Sequence, residues 1–176
     1  DERLDNEYKE AAKKLRTKKI VVQNIVSSKV HAVATWDNEA CLDIDTITNV
    51  LVTDKSIEPK YVLGLMNSKL MTFYIRDVVF NRALLTMHMD APYLGQIPIK
   101  RVPKSKQKEL VDMVDSIINM ERRSAEIGYD LYTSSEYVSL QEQIKAKNQE
   151  IDRFAYDLYG LNSNEIETIE RLIDYW

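Results

Sequence analysis

The chain has 176 residues, 44% hydrophobic and 30% charged, with a formal net charge of −4; that length suits one domain, or one domain with a helical appendage. A single cysteine, Cys41, excludes an internal disulfide and fits a reducing compartment. No signal peptide is visible and no uncharged run approaches the ~18 residues that cross a bilayer, so no membrane partner is expected. The net charge hides an asymmetry: residues 18–106 carry twelve bases against eight acids, and residues 107–176 seven against fifteen. The chain has no initiator Met and starts in a charged helical pattern, which reads as a piece of something longer.

Leu4, Tyr8, Ala11, Ala12 and Leu15 fall on one stripe, so 2–16 reads as a helix, a linker from an upstream region over 1–17. The period then changes. The β-branched runs 18–26 and 29–36 flank Ser27-Ser28 as a hairpin. Asp37-Asn38 is a turn, and 39–44 and 49–53 read as short strands. Tyr61, Val62, Leu65, Met66, Leu70, Phe73 and Tyr74 recur at helical steps, giving an amphipathic helix over 59–77 with Pro59 just inside its start and Ser56 or Glu58 serving its first turn. Residues 78–89 suit either strand or helix. Asp90-Ala91-Pro92 breaks that segment, and 93–99 reads as an edge strand in which Pro98 is tolerable.

From Pro103 the chain reads as helical. Leu110, Met113, Val114, Ile117 and Ile118 form one stripe. Tyr137, Leu140, Ile144, Ile151, Phe154, Ala155 and Leu158 form a second with near-heptad spacing. Gly160 suits a C′ position, and Asn162 or Ser163 can cap a last helix bearing Ile166, Ile169, Leu172 and Ile173. The expected fold class is α+β: a small mixed β-sheet with an inserted amphipathic helix over 18–106, followed by a C-terminal helical hairpin or bundle over 107–176.

Catalytic signatures are missing. There is no G-x-G-x-x-G, no G-x-x-x-x-G-K-[ST] and no G-x-S-x-G. One cysteine with His31 and His88 cannot build a Cys/His zinc site, and no catalytic or metal-binding residues are assigned. Asp45 with Glu58-Pro59-Lys60 imitates the D…E-x-K spacing of metal-dependent nucleases, but Pro59 cannot donate within a sheet and marks a helix start instead. What remains is a binding surface: Gln23, Asn24, Ser27, Ser28, Lys29 and His31 around the first hairpin, Arg76, Asn81 and Arg82 after the central helix, and Lys100, Arg101 and Lys104 before the long helix. Asn, Gln, Arg and Lys can pair with base edges, while Lys, Arg and Ser hold phosphates.

The order KIVVQNI…HAVATW…NVLVT…YVLGLMNSKLMTFYIR…LGQIPIKRVPKSKQKELVDMVDSII resembles the TaqI-like C-terminal specificity domain of adenine-N6 DNA methyltransferases and type IIG restriction enzymes. Met66-Asn67-Ser68-Lys69-Leu70 with Phe73-Tyr74 matches that family's helix motif, and Gln96-Ile97-Pro98-Ile99 matches the edge before its long helix. The tail over 151–170 is similar to the helical ending of the same enzymes, and related Pro-then-helix arrangements occur in type I specificity subunits. The chain departs in carrying Gln23-Asn24 where relatives often have Arg, and in lacking the N-P-P-Y motif and the cofactor glycine motif. The resemblance implies a DNA target-recognition domain without catalysis of its own. Double-stranded DNA and an N-terminal methyltransferase or nuclease domain of the same polypeptide would be its partners. S-adenosylmethionine would be bound by that parent enzyme, in a prokaryotic cytoplasm. The alternative is a helical protein-interaction or dimerisation module, or half of a type I specificity subunit, using the near-heptad stripe.

Overall fold

The structure, a computed structural model, describes residues 2–26, 33–43, 46–83, 85–127 and 134–173, with side chains from Asp5 onward. Helix α1 (Glu2–Leu15) forms where its stripe predicts, but the stripe is left largely uncovered, with Tyr8 75% exposed. Strand β1 (Lys19–Gln23) is the centre of a three-stranded sheet, flanked by β3 (Ala34–Asp37) and β4 (Ile47–Val50). Lys19 opposes Asp37 and Val22 opposes Ala34 on one side; Ile20 opposes Val50 and Gln23 opposes Ile47 on the other. A two-stranded ribbon pairs β2 (Ile25–Val26) with β5 (Met87–His88). The α+β class is as expected, but every described pairing is antiparallel, where a mixed sheet was expected.

Two expected strands do not form. After β3 the Asp37 carboxylate accepts the N–H groups of Glu39 (3.0 Å) and Cys41 (2.9 Å), and Ala40 takes a positive φ of 57°. This curls 39–43 into a turn instead of extending it. Over 93–99, Asp90 takes the N-cap position of a short helix α4 (Ala91–Leu94), with Pro92 in its first turn; a fixed φ near −65° serves a helix start better than an edge strand.

The central helical run is interrupted. Helix α2 (Pro59–Met66) starts at Pro59 with Glu58 as N-cap, and stops at Asn67. Ser68 restarts it as α3 (Lys69–Tyr74): its hydroxyl donates to the Leu65 carbonyl (2.7 Å) and accepts from the Met71 N–H (3.3 Å). The run ends in a π-helical turn (Ile75–Val79), closed by the Phe80 N–H on the Ile75 carbonyl at 2.8 Å.

Helices α5 (Lys104–Glu126) and α6 (Ser135–Tyr159) pack as a hairpin, followed by α7 (Ser163–Leu172). Gly160 ends α6 with φ 74°, as expected, and of the two candidate caps it is Asn162 that caps α7, with Glu165 completing a capping box. The apolar core is shared: Ile20 and Val22 of β1, Tyr61 and Leu65 of α2, Leu110 and Val114 of α5, and Ile151, Phe154 and Ala155 of α6 belong to one buried cluster. A smaller cluster joins Tyr156 to Ile169 and Ile173. Among the described residues no helix is long and apolar enough to cross a membrane.

Candidate nucleic-acid interface

The two ends of β1 differ in chemistry. At its N-terminal end, Lys19 is fully buried; its ammonium donates to Asp37 (2.7 Å) and to the carbonyls of Leu15 (3.1 Å) and Cys41 (2.5 Å). Helix α2 begins at this end, with the Lys60 ammonium 5.7 Å from the ring centre of Trp36, the residue opposite Ile20. Helix α5 begins there too, because the buried Gln107 amide accepts the Glu58 N–H (2.7 Å) and donates to the carbonyls of Ser56 and Val102 (both 2.8 Å).

The cationic rim before α5 is therefore at the Lys19 end, and it is already matched. Arg101 pairs with Asp54 at 2.8 Å, Lys104 pairs with Glu58, and Lys60 pairs with Asp115. Lys100 donates to the Leu158 carbonyl at 2.6 Å, with its ammonium 6.0 Å from the centre of the Tyr159 ring. Glu58 and Lys60 thus have partners that have nothing to do with a metal; Asp45 lies outside the described residues. No His, Cys, Asp or Glu cluster suited to a metal occurs among the described residues.

The opposite end carries the polar display. Helix α2 finishes there, since the Asn67 amide bonds to Ala34, the partner of Val22. The run continues outward through α3 and the π-turn to Asn81 and Arg82. Six residues beyond Arg82, a chain length of at most about 22 Å, His88 pairs with Ile25, and Phe80 packs on Tyr93, whose N–H bonds to Asp90, the partner of Asn24. Gln23, Asn81, Arg82 and His88 are all exposed at this end. The sequence places Lys100, Arg101 and Lys104 on the same surface as Gln23, Asn81 and Arg82, and does not put His88 there; the structure puts the two groups at opposite ends of the sheet.

Two expected DNA contacts are otherwise engaged. Asn24 is 7% exposed and ties three segments together. Its Nδ2 donates to Thr48 Oγ1 (3.0 Å) and Asp90 Oδ1 (2.8 Å), and its Oδ1 meets His88 Nδ1 at 2.9 Å. Its backbone N–H donates to Thr46 and its carbonyl accepts from Met89. Arg76 spends Nε and Nη2 on Asp77 (both 2.7 Å) and Nη1 on the Leu172 carbonyl (2.7 Å), anchoring the end of α7. Gln23 is exposed and donates to the Ile25 carbonyl (2.9 Å). Ser27, Ser28, Lys29 and His31 lie outside the described residues.

Asp77 is the residue that residue-type reasoning passes over. Its carboxylate is 6% exposed and also accepts from Arg82 Nε at 2.5 Å. Burial works against its charge, but the hydrogen bonds from Arg76 and Arg82 outweigh that and hold the carboxyl below the usual range. An acid directly after one arginine and five residues before another was the signal available. Asn81 and Arg82 both sit at positive φ, 47° and 57°, a conformation costing a non-glycine residue about 1–2 kcal/mol. Such strain persists where surrounding contacts dictate it, and it gathers at binding sites.

A small sheet braced by helices, with polar and guanidinium groups gathered at one end of its strands, has the make-up of a surface-recognition module. The chain belongs to the TaqI-like C-terminal specificity domain family, whose model matches residues 1–99. The match takes in α1, both sheets, the Asn67-Ser68 break and the Asn81-Arg82 turn, and stops before α5. Domains of this family serve DNA recognition in restriction–modification enzymes. No curated protein matches the chain.

Proposed function

We propose that this chain is the target-recognition domain of a type IIG restriction–modification enzyme or an adenine-N6 DNA methyltransferase. It docks on duplex phosphates, reads base edges from the Gln23, Asn81, Arg82 and His88 end of the sheet, and so positions a separate catalytic region of the same polypeptide over its adenine. S-adenosylmethionine would be bound by that region, and the chain's own part is binding and orientation. The observation that carries the reading is Arg82, exposed at a turn of positive φ and tied to its carboxylate through Nε, at the same end of the sheet as exposed Gln23, Asn81 and His88, while Arg101 and Lys104 at the far end are each paired with a carboxylate.

The dimerisation alternative rests on the near-heptad stripe, of which Leu140, Ile144, Ile151, Phe154, Ala155 and Leu158 are buried within the chain and Tyr137 is half-buried; that burial favours the recognition reading.

The test is duplex binding followed across salt. A reader that neutralises several phosphates loses affinity linearly in log–log form, with a slope of about −0.9 per phosphate. Binding of a fluorescent random-sequence duplex of about 25 base pairs is expected to fall at least tenfold between 50 and 200 mM salt. No measurable binding at the lowest salt would remove the proposal.

A further inference from the structure

Arg76 and Arg82 share one carboxylate but differ in what they have left to give. Arg76 has Nε, Nη1 and Nη2 all engaged, and its side chain is 22% exposed; Arg82 engages Asp77 through Nε and is 73% exposed. Arg82 bonds to Asp77 through Nε alone, so among the described residues its Nη1–Nη2 fork has no hydrogen-bond acceptor. That fork matches the O6 and N7 acceptors of guanine in the major groove. A fork held in one plane suits a bidentate partner, and among the bidentate acceptors of a duplex the guanine edge is the one that carries sequence. The backbone adds a second constraint. The Arg82 N–H donates to the Arg76 carbonyl at 2.9 Å, and the Ala83 N–H to Phe80 at 2.9 Å, so the turn is closed around Asp77 with Asn81 and Arg82 both left-handed. Phe80 beneath it is buried and packs edge-on against Tyr93 with ring centres 5.0 Å apart.

The geometry points to Arg82 as the reader of one guanine in the recognised duplex, and to the buried Asp77 as the positioning residue that fixes the plane of its guanidinium. The assignment rests on the duplex-reading proposal above. It commits one base of an otherwise unknown site and separates Arg82 from arginines that only brace the fold.

The experiment uses the full 176-residue chain and a pool of duplexes with about ten randomised central base pairs. The retained fraction is sequenced for wild type, Arg82→Gln, Arg82→Lys and Asp77→Asn. Wild type is expected to favour guanine at one position by about tenfold or more, the discrimination of a good bidentate pair. Arg82→Gln should flatten that position alone, Arg82→Lys should weaken it, and Asp77→Asn should lower it by several-fold with little change elsewhere. Replacing that guanine by 7-deazaguanine, which lacks N7, should weaken wild type and leave Arg82→Gln unaffected. If Arg82→Gln weakens retention uniformly and the guanine preference persists, Arg82 is a phosphate contact and the assignment is overturned. Retention of duplex with no guanine preference overturns this assignment alone; no retention by wild type overturns the recognition reading as well. Arg82 is at the surface, so its variants report even if Asp77→Asn melts early.

Discussion

Asn67 clasps the backbone of Ala34 with both ends of its amide: Oδ1 accepts the Ala34 N–H at 3.0 Å and Nδ2 donates to the Ala34 carbonyl at 2.9 Å. Because the Gln23 N–H bonds to Val33, antiparallel alternation turns the polar groups of Ala34 away from β1, onto the open edge of the sheet. One side chain thus stands in for a missing strand. Asn67→Ala would strand two partly buried backbone groups, a cost of about 1–3 kcal/mol. That corresponds to a fall in Tm of roughly 3–10 °C for a chain this long. Asn67→Asp should do at least as much harm, since its second oxygen would face the Ala34 carbonyl. A Tm within a degree of wild type for both would show that water takes over the role.

At Gly64 the backbone of α2 comes close to the side chains of α5. A Cβ there would lie 2.8 Å from Leu110 Cγ and 2.9 Å from Val114 Cγ2, both on buried side chains. Alanine would gain about 1 kcal/mol in helix propensity, but overpacking costs about 1–3 kcal/mol. Gly64→Ala is therefore expected to lower stability in urea by about 1 kcal/mol, and Gly64→Val by considerably more. Pairing Gly64→Ala with Val114→Ala should cost less than the two separate losses combined, because the smaller residue relieves the clash. Strict additivity would mean the helices simply move apart.

Local chemistry was legible wherever one residue could decide the outcome. Pro59, Gly160 and Asn162 mark helix ends by their own backbone or side-chain preferences, and the stripes on α5 and α6 fix which faces are buried. Residues 39–44 and 93–99 misled because alternating apolar residues resemble a strand until a distant or local cap intervenes: the Asp37 carboxylate in one case, Asp90 with Pro92 in the other. The candidate site was legible in residue type but not in position. Nothing in the sequence says that Asn24 will be met by Thr48, Asp90 and His88, or that Leu172 will consume one end of Arg76. Those partners come from other segments, and only the fold supplies them. The pairing of Arg101 with Asp54 and Lys104 with Glu58 has the same origin.

That pairing yields a prediction about binding. Arg101 and Lys104 lie at the Lys19 end of the sheet, each matched by a carboxylate, whereas the duplex is proposed to meet the other end. The double variant Arg101→Ala/Lys104→Ala should change duplex affinity by less than about threefold at 0.15 M salt, where charges beyond about 8 Å are largely screened. Arg82→Ala should cost about tenfold under the same conditions. An equal or larger loss from the double variant, measured by anisotropy, would move the DNA to the opposite end.

Asp152 gives the fold a pH signature. It is 2% exposed on α6; Oδ1 accepts the Lys69 N–H at 2.7 Å, while Oδ2 has no hydrogen-bond partner among the described residues. Burial pushes its carboxyl up from 3.8 to about 7; the Lys69 N–H and ammonium oppose that rise, and Glu170 on α7 adds to it. Glu170 is itself held by the Lys69 ammonium and by the Tyr156 hydroxyl at 2.8 Å. A folded pKa above the unfolded one means that the native state binds the proton more tightly. The stabilisation is complete below about pH 4 and is lost as pH rises through about 7. At about 1.4 kcal/mol per tenfold change in proton affinity, the full loss is about 4 kcal/mol. Asp152→Asn keeps an acceptor for the Lys69 N–H and removes the charge. Its stability should therefore gain on wild type steadily between pH 5 and 8, most of all at the alkaline end. Parallel stability curves for the two proteins across that range would show that Asp152 does not titrate there.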